Sequence, residues 1–160
     1  MEDEVGSLKD DFGEPKKVVV VSGYFDPLHV GHLEMMKLSK ELGHKLVVIV
    51  NNDVQTRLKK GFNFMHEADR VKIIEELGVV DEVFLSVDKD ASVCESLKAV
   101  NPDIFANGGD RHQGEFPEAV ICRELGIEMI DEMGAKIRSS SELVEEANRI
   151  KEELSEEERF

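Results

Sequence analysis

Apolar residues come in short blocks separated by glycine, proline and charged stretches, and two periods alternate between the blocks. Lys17–Ser22 carries four consecutive valines, which predicts a strand buried on both faces rather than an amphipathic one. Leu33, Met36, Leu38 and Leu42 recur at helical spacing and predict a helix that stops at Gly43. Lys45–Val50 is a second β-branched run. His66–Leu77 reads as a helix stopped by Gly78, and Val80–Leu85 as a third strand. Ala91–Val100 predicts a helix closed by Asn101-Pro102, and Asp103–Ala106 a short strand. Phe116–Leu125 is a helix stopped by Gly126, Ile127–Ile130 a fifth strand, and Glu142–Glu153 a last helix.

Strands alternating with helices predict an α/β fold, because a parallel strand can be reached only by a crossover that packs on the sheet. The expectation is a single Rossmann-like domain, a five-stranded parallel sheet with helices on both faces and strand order 3-2-1-4-5. Ligands of such sheets bind beyond the carboxyl ends of the strands, where the strand order reverses. Residues 1–14 read as a flexible acidic tail and 15–160 as the folded domain, with Glu152–Arg159 a solvated helix end.

Composition changes this picture little. The chain of 160 residues is 41% hydrophobic and 34% charged, which is globular rather than disordered. It has no apolar run long enough to span a bilayer, and its acidic start predicts neither signal peptide nor anchor. Cys94 and Cys122 lack metal-ligand spacing, so buried free thiols and a reducing cytoplasm are expected.

The net charge of −15 argues against nucleic acid and anionic membrane as partners. Against that background the basic residues cluster. Arg57, Lys59, Lys60, Arg70, Lys72, Arg111, Lys136 and Arg138 all fall in stretches that follow strands or open helices, eight of the 20 basic residues. A charge run is usually a solvated face. Placed at the ligand end of the sheet, these build a positive mouth on an acidic body.

The candidate chemistry starts at Gly23-Tyr24-Phe25-Asp26-Pro27-Leu28-His29-Val30-Gly31-His32, which runs from the first strand into the first helix. Gly23 lets backbone approach a phosphate, and a helix N-terminus offers unpaired N–H donors to an anion. His29 and His32, three apart, can face one ligand. A single histidine there is more often a cap, and a metal pair lacks further ligands in the sequence. Ser139, three residues before Glu142, forms a capping-box pattern; Ser140 and Ser141 exceed what a cap needs and suit a phosphate. Asn107-Gly108-Gly109-Asp110 ends the fourth strand as a tight turn or a close approach to a nucleoside. His66 reads as a helix-start residue, His112 as acceptor-side, and His44 as exposed.

GYFDPLHVGH resembles the HxGH signature of the cytidylyltransferase-like nucleotidyltransferases, and the resemblance extends from about Val18 to about Val144. The segment from Arg57 to Arg70 is similar to the lysine-glycine…arginine segment of the Kennedy-pathway and glycerol-phosphate cytidylyltransferases. Val50-Asn51-Asn52-Asp53 and Asn107–Asp110 look closer to the ADP-heptose synthases. Ser139-Ser140-Ser141 resembles the motif that opens the last helix, nearest its adenylyltransferase form. One departure stands out, because Gly134 occupies the place of an arginine in the cytidylyltransferase pattern, with Lys136 or Arg138 available to substitute.

The resemblance implies that residues 15–160 form a nucleotidyltransferase domain in which a phosphate monoester attacks the α-phosphorus of a triphosphate and releases pyrophosphate. It implies His29, His32, Lys60 and Arg138 as the catalytic set. Gly23, Tyr24, Phe25, Asp26, Gly31, Asn107, Gly109, Asp110 and Ser139–Ser141 would bind the nucleotide, and Arg70 and Arg111 the acceptor. Mg²⁺ would ride on the triphosphate, with Asp26 as its protein contact. The middle of the chain favours CTP and the serine run ATP, and the balance leans to CMP transfer onto a small phospho-alcohol, amino-alcohol phosphate or sugar phosphate. An inactive nucleotide-binding regulatory module is the alternative of another class. A synthetase fragment acting on tRNA fits neither the length nor the charge. Leu143, Ala147, Ile150 and Leu154 form an apolar stripe for core packing or a homodimer.

Overall fold

The computed structural model describes residues 16–107, 116–131 and 147–153. Five strands, β1 (Val18–Gly23), β2 (Lys45–Val50), β3 (Glu82–Leu85), β4 (Ile104–Ala106) and β5 (Glu128–Ile130), form one sheet. Every pairing is parallel, and the order is β3-β2-β1-β4-β5, as expected from the sequence. The order in which strands are added therefore reverses at β1, between β2 on one side and β4 on the other, where such sheets have their ligand crevice.

The valine run works as a strand because both of its faces are covered. Val19 and Val21 pack with Leu46, Val48 and Val50 against Met36 and Ile74 of helices α1 (Val30–Lys40) and α3 (Glu67–Glu75). Val20, Val47 and Ile49 face the other way, onto Leu97 of α4 (Cys94–Val100) and Cys122 of α5 (Pro117–Leu125). Period-2 alternation splits one apolar run between two cores. Residues 147–153 are helical, with Ala147 and Ile150 exposed, so the core-packing expectation for that stripe does not hold at these two positions. Among the described residues no helix is long and apolar enough to cross a membrane.

One helix escapes the apolar pattern. The helix α2 (Asp53–Lys60) has the sequence DVQTRLKK and exposes its apolar residues Val54 and Leu58. Polar groups hold it instead. Asn52 caps it by accepting from the Gln55 amide at 2.9 Å, and the Gln55 side chain accepts from the Asn52 amide at 3.1 Å. Buried Gln55 then donates to the carbonyls of Asp90 and Ser92, and Asn52 to those of Ser86 and Asp88. Gly61, at φ 85°, ends the helix in the left-handed conformation that glycine adopts without strain.

Helix α4 starts at Cys94 rather than Ala91 for a similar reason. The carboxylate of buried Asp88 accepts from the amides of Glu95 and Ser96, a cap delivered from six residues outside the helix. Both cysteines are free, Cys122 buried and Cys94 partly so. Burial pushes the Cys122 thiol up to about 11 and the Cys94 thiol upward, so neither is a ready nucleophile at neutral pH.

Candidate active site

At the end of β1 the Gly23 carbonyl accepts from the Asn51 amide at 2.9 Å, tying the carboxyl ends of β1 and β2 together. The chain then folds Phe25 back at φ 52°, a left-handed conformation that costs a non-glycine residue about 1–2 kcal/mol. Burial of the ring, 1% exposed, holds it there. A Cβ on Gly23 would lie 2.8 Å from the Phe25 Cζ. Gly23 is therefore required by the Phe25 ring. Phe25 likewise packs inside the fold, its ring edge-on to His32 at 4.9 Å between centroids. Gly23→Ala should overpack this turn and lower stability by about 1–3 kcal/mol, measured by urea unfolding.

The two histidines open α1 together. His29 is the N-cap, and its Nδ1 accepts from the Gly31 amide at 3.1 Å. His32 Nδ1 accepts from the His29 amide, also at 3.1 Å. This is a capping box built of imidazoles, with the rings 3.8 Å apart between centroids. A ring nitrogen that accepts carries no hydrogen, so each neutral ring bears its proton on Nε2. The capping reading of these histidines holds for both rings. The first turn of α1 holds no acidic residue, which leaves its amides and dipole favourable to an anion.

Lys60, at the end of α2, comes to the same turn. Its ammonium donates to the Asp26 carbonyl and lies 3.9 Å from the Asp26 carboxylate, with the side chain 12% exposed. Burial lowers the Lys60 pKa below 10.5; Asp26 opposes the shift and Arg70 adds to it. The unfolded chain then binds more protons than the folded one between the lowered value and 10.5, so stability rises with pH across that window. Wild type should gain on Lys60→Met as pH is raised toward 10.5 in denaturant titrations; a constant difference would contradict the burial of the ammonium.

Asp26 itself is fully buried, and its carboxylate accepts from the amides of Phe64 and Met65. Each of its two oxygens thus holds a backbone amide. Among the described residues no group of three or more His, Cys, Asp or Glu is placed to hold a metal. Its role is to seat the 61–65 segment.

Arg70 is drawn inside the fold. Its side chain is buried, donating to the carbonyls of Met65, Tyr24 and Asn51 and to the Asp53 carboxylate at 2.9 Å. It binds the ends of β1 and β2 to the start of α2, a structural strut. Tyr24 gives its carbonyl to Arg70 and its ring to Lys59, whose Nζ lies 4.3 Å from the centroid. Asn107 extends β4, its amide donating to the Ile130 carbonyl at 2.8 Å and its side chain to Asp131. His66 is the N-cap of α3, and His44 is exposed as expected, its Nδ1 accepting from the Lys17 amide. Gly109, Asp110, Arg111, Arg138, Ser139, Ser140 and Ser141 lie outside the described residues.

The sequence reading missed the anchors Asn52, Gln55 and Asp88. The Asn-x-x-Gln spacing at 52–55 was a legible capping box. It also passed over Phe62 and Phe64, aromatic residues in a short loop directly after a basic run.

A parallel sheet in the order 3-2-1-4-5, with a histidine-capped helix and a partly buried lysine at its reversal point, is the arrangement of a nucleotidyltransferase-like α/β domain. Residues 20–153 match the Cytidylyltransferase-like family model, and the chain belongs to that family. It is 44% identical over 114 residues to an FAD synthase of Thermococcus sibiricus, covering 69% of this chain and 73% of the relative. It is 37% identical over 124 residues to the bifunctional protein HldE of Desulfatibacillum aliphaticivorans; the match covers 76% of this chain but only 23% of that longer protein. The crystal structure of a lipopolysaccharide core biosynthesis protein from Thermoplasma volcanium aligns with a TM-score of 0.64 at 30% identity, covering 77% of this chain and 99% of the other.

Proposed function

We propose that the protein transfers AMP from ATP to a small phosphate monoester and releases pyrophosphate. The observation that carries this reading is the histidine capping box, which fixes two Nε2–H donors beside a helix N-terminus free of acidic residues. An oxygen of the acceptor phosphate attacks the α-phosphorus, and the bond from that phosphorus to the bridging oxygen of pyrophosphate breaks. The acceptor is already an anion at neutral pH, so no side-chain base is needed. Catalysis then consists of alignment and charge stabilisation.

His29 and His32 would donate to oxygens of the α-phosphate as negative charge redistributes toward the leaving group. Lys60 would leave the Asp26 carbonyl for the incoming phosphate, which restores a full counter-charge to a poorly solvated ammonium. Arg138 and Ser139–Ser141 are proposed to hold the β- and γ-phosphates, and Asn107, Gly109 and Asp110 the nucleoside. Mg²⁺ would enter with the triphosphate as its counter-ion.

ATP is preferred over CTP because the relatives include FAD synthases, and FAD contains an AMP group joined to a flavin phosphate. This departs from the sequence-based lean toward CMP transfer. Pyrophosphate release, measured with each triphosphate, Mg²⁺ and a panel of phosphate monoesters, tests it. ATP should exceed CTP by about tenfold or more in kcat/KM. A CTP preference would restore the cytidylyl reading, and tight ATP binding without release for any acceptor would leave a binding module.

A further inference from the structure

The buried residues of α2, Gln55 and Thr56, are polar, and its apolar Val54 and Leu58 are exposed. Apolar packing therefore does not fix where this helix lies. Two side-chain amides do. Asn52 Nδ2 donates to the carbonyls of Ser86 at 3.0 Å and Asp88 at 2.9 Å. Gln55 Nε2 donates to those of Asp90 at 2.7 Å and Ser92 at 2.8 Å. The acceptors are alternate residues of one stretch, 86–92, which lies between β3 and α4. The two amide oxygens are engaged as well, each accepting from the other residue's backbone amide. The stretch is itself tied down. The Asp88 carboxylate accepts from the Glu95 and Ser96 amides and from Ser96 Oγ at 2.6 Å, and Ser92 donates to the Asp90 carboxylate. Helix α2 is thus registered against α4, whose Leu97 is part of the core.

The other end of α2 carries Lys60, whose ammonium sits on Asp26 in the turn that leads to the histidine pair. Lys60 follows Gln55 by five residues and Asn52 by eight. That is about 8–12 Å along a helix rising 1.5 Å per residue, so a pivot at the loosened start would displace the last residue most. In the transfer proposed above, Lys60 gives up the Asp26 carbonyl for phosphate. From then on its place is set by its helix, through the amides at 52 and 55 and through the loop amides that the Asp26 carboxylate keeps.

We infer that Asn52 and Gln55 are positioning residues for the transfer: by registering α2 against the 86–92 stretch, they set where the Lys60 ammonium stands for the phosphates. The kinetic part of this inference rests on the transfer reading above; the placing of the ammonium is measured without turnover. Asn52→Ser keeps an N-cap acceptor and gives up the bonds to Ser86 and Asp88. Gln55→Met keeps the length of the side chain and gives up the bonds to Asp90 and Ser92. Asp103→Ala, which removes the acceptor of the Val18 amide at the amino ends of β1 and β4, is the control for lost stability alone. Urea unfolding checks the fold of each full-length variant. Pyrophosphate release with ATP gives the kinetics. The rate of Lys60 acetylation against pH, read by mass spectrometry with exposed Lys37 as internal reference, reports the state of the ammonium.

Asn52→Ser and Gln55→Met should each lower kcat about 10–100-fold, the loss expected when a group is misplaced by about 1 Å, and leave KM for ATP little changed. In a Lys60→Met background the same substitutions should change kcat by less than about twofold, because residues that act through Lys60 then have nothing further to lose. Burial holds the Lys60 pKa below 10.5, with Asp26 opposing and Arg70 adding to the shift. A displaced ammonium is better solvated, so the acetylation midpoint should rise toward 10.5 in both variants and stay in place in Asp103→Ala. Kinetic losses that persist undiminished without Lys60, or that Asp103→Ala matches at equal loss of stability, would overturn the proposal. So would an unchanged Lys60 midpoint in the folded variants. If neither variant folds, the two amides are structural alone and the proposal falls. A wild type that releases no pyrophosphate with any acceptor would sink the transfer reading, and the Lys60 midpoint would still decide the positioning.

Discussion

Replacing His29 with asparagine should leave the protein folded and lower turnover by about 10²–10³-fold. The reasoning separates the two nitrogens of one ring. The His29 Nδ1 accepts from the Gly31 amide and caps α1, and an asparagine side-chain oxygen is at least as good an N-cap acceptor. Stability should therefore change by only a few tenths of a kcal/mol. What asparagine lacks is the donor on the far side of the ring. The loss of one preorganised donor to developing charge corresponds to about 2.7–4 kcal/mol of transition-state stabilisation. His32→Ala should show the same kinetic loss together with a stability cost, because it removes both the acceptor for the His29 amide and the edge contact with Phe25. Steady-state pyrophosphate release beside urea unfolding of both variants is the measurement. Near-normal turnover in folded His29→Asn would remove the histidine pair from the chemistry.

The second large effect is structural. Arg70→Met should destabilise the fold by about 3–5 kcal/mol, a large part of the 5–15 kcal/mol that holds a typical domain together. Methionine fills much of the volume but donates nothing. The carbonyls of Tyr24, Asn51 and Met65 would each lose a charged donor inside the protein. The Asp53 carboxylate, 2.9 Å from the guanidinium, would lose its counter-charge. Leaving buried polar groups unsatisfied is the costly half of hydrogen bonding. Lysine should not rescue fully, since one ammonium has three donors and cannot span the fork. A fall of less than about 1 kcal/mol in urea unfolding would show that the guanidinium is not the strut described. If the variant stays folded, a raised KM for the acceptor without loss of stability would return Arg70 to a ligand role.

The part of the site that was legible in the sequence is the part made by consecutive residues. Strand, glycine, two histidines and helix start lie within Gly23–His32, and a turn of that length has few ways to fold. Lys60 was also legible, through its place in a basic run beside a glycine. The structural contacts of Asp26, Arg70, Gly23 and Phe25 were not, because their partners are set by the folded chain and not by local spacing. Nothing in their spacing shows that Asp26 meets the amides of Phe64 and Met65, or that Arg70 reaches back to Tyr24. Helix α2 was lost for a related reason. It buries no apolar stripe, so periodicity is silent, and its stability comes from Asn52 and Gln55 bonding to carbonyls more than 30 residues later.

By itself the sequence determined the strand-helix alternation, the parallel sheet and its order, and the turn from β1 into α1. These follow from local periodicity and from the few topologies that a parallel sheet allows. Only the tertiary structure decided which backbone groups the polar residues hold. Those groups come from distant segments: the Asp26 carboxylate and the Arg70 guanidinium are drawn into the fold and bonded there, while Nδ1 of His29 and of His32 caps α1.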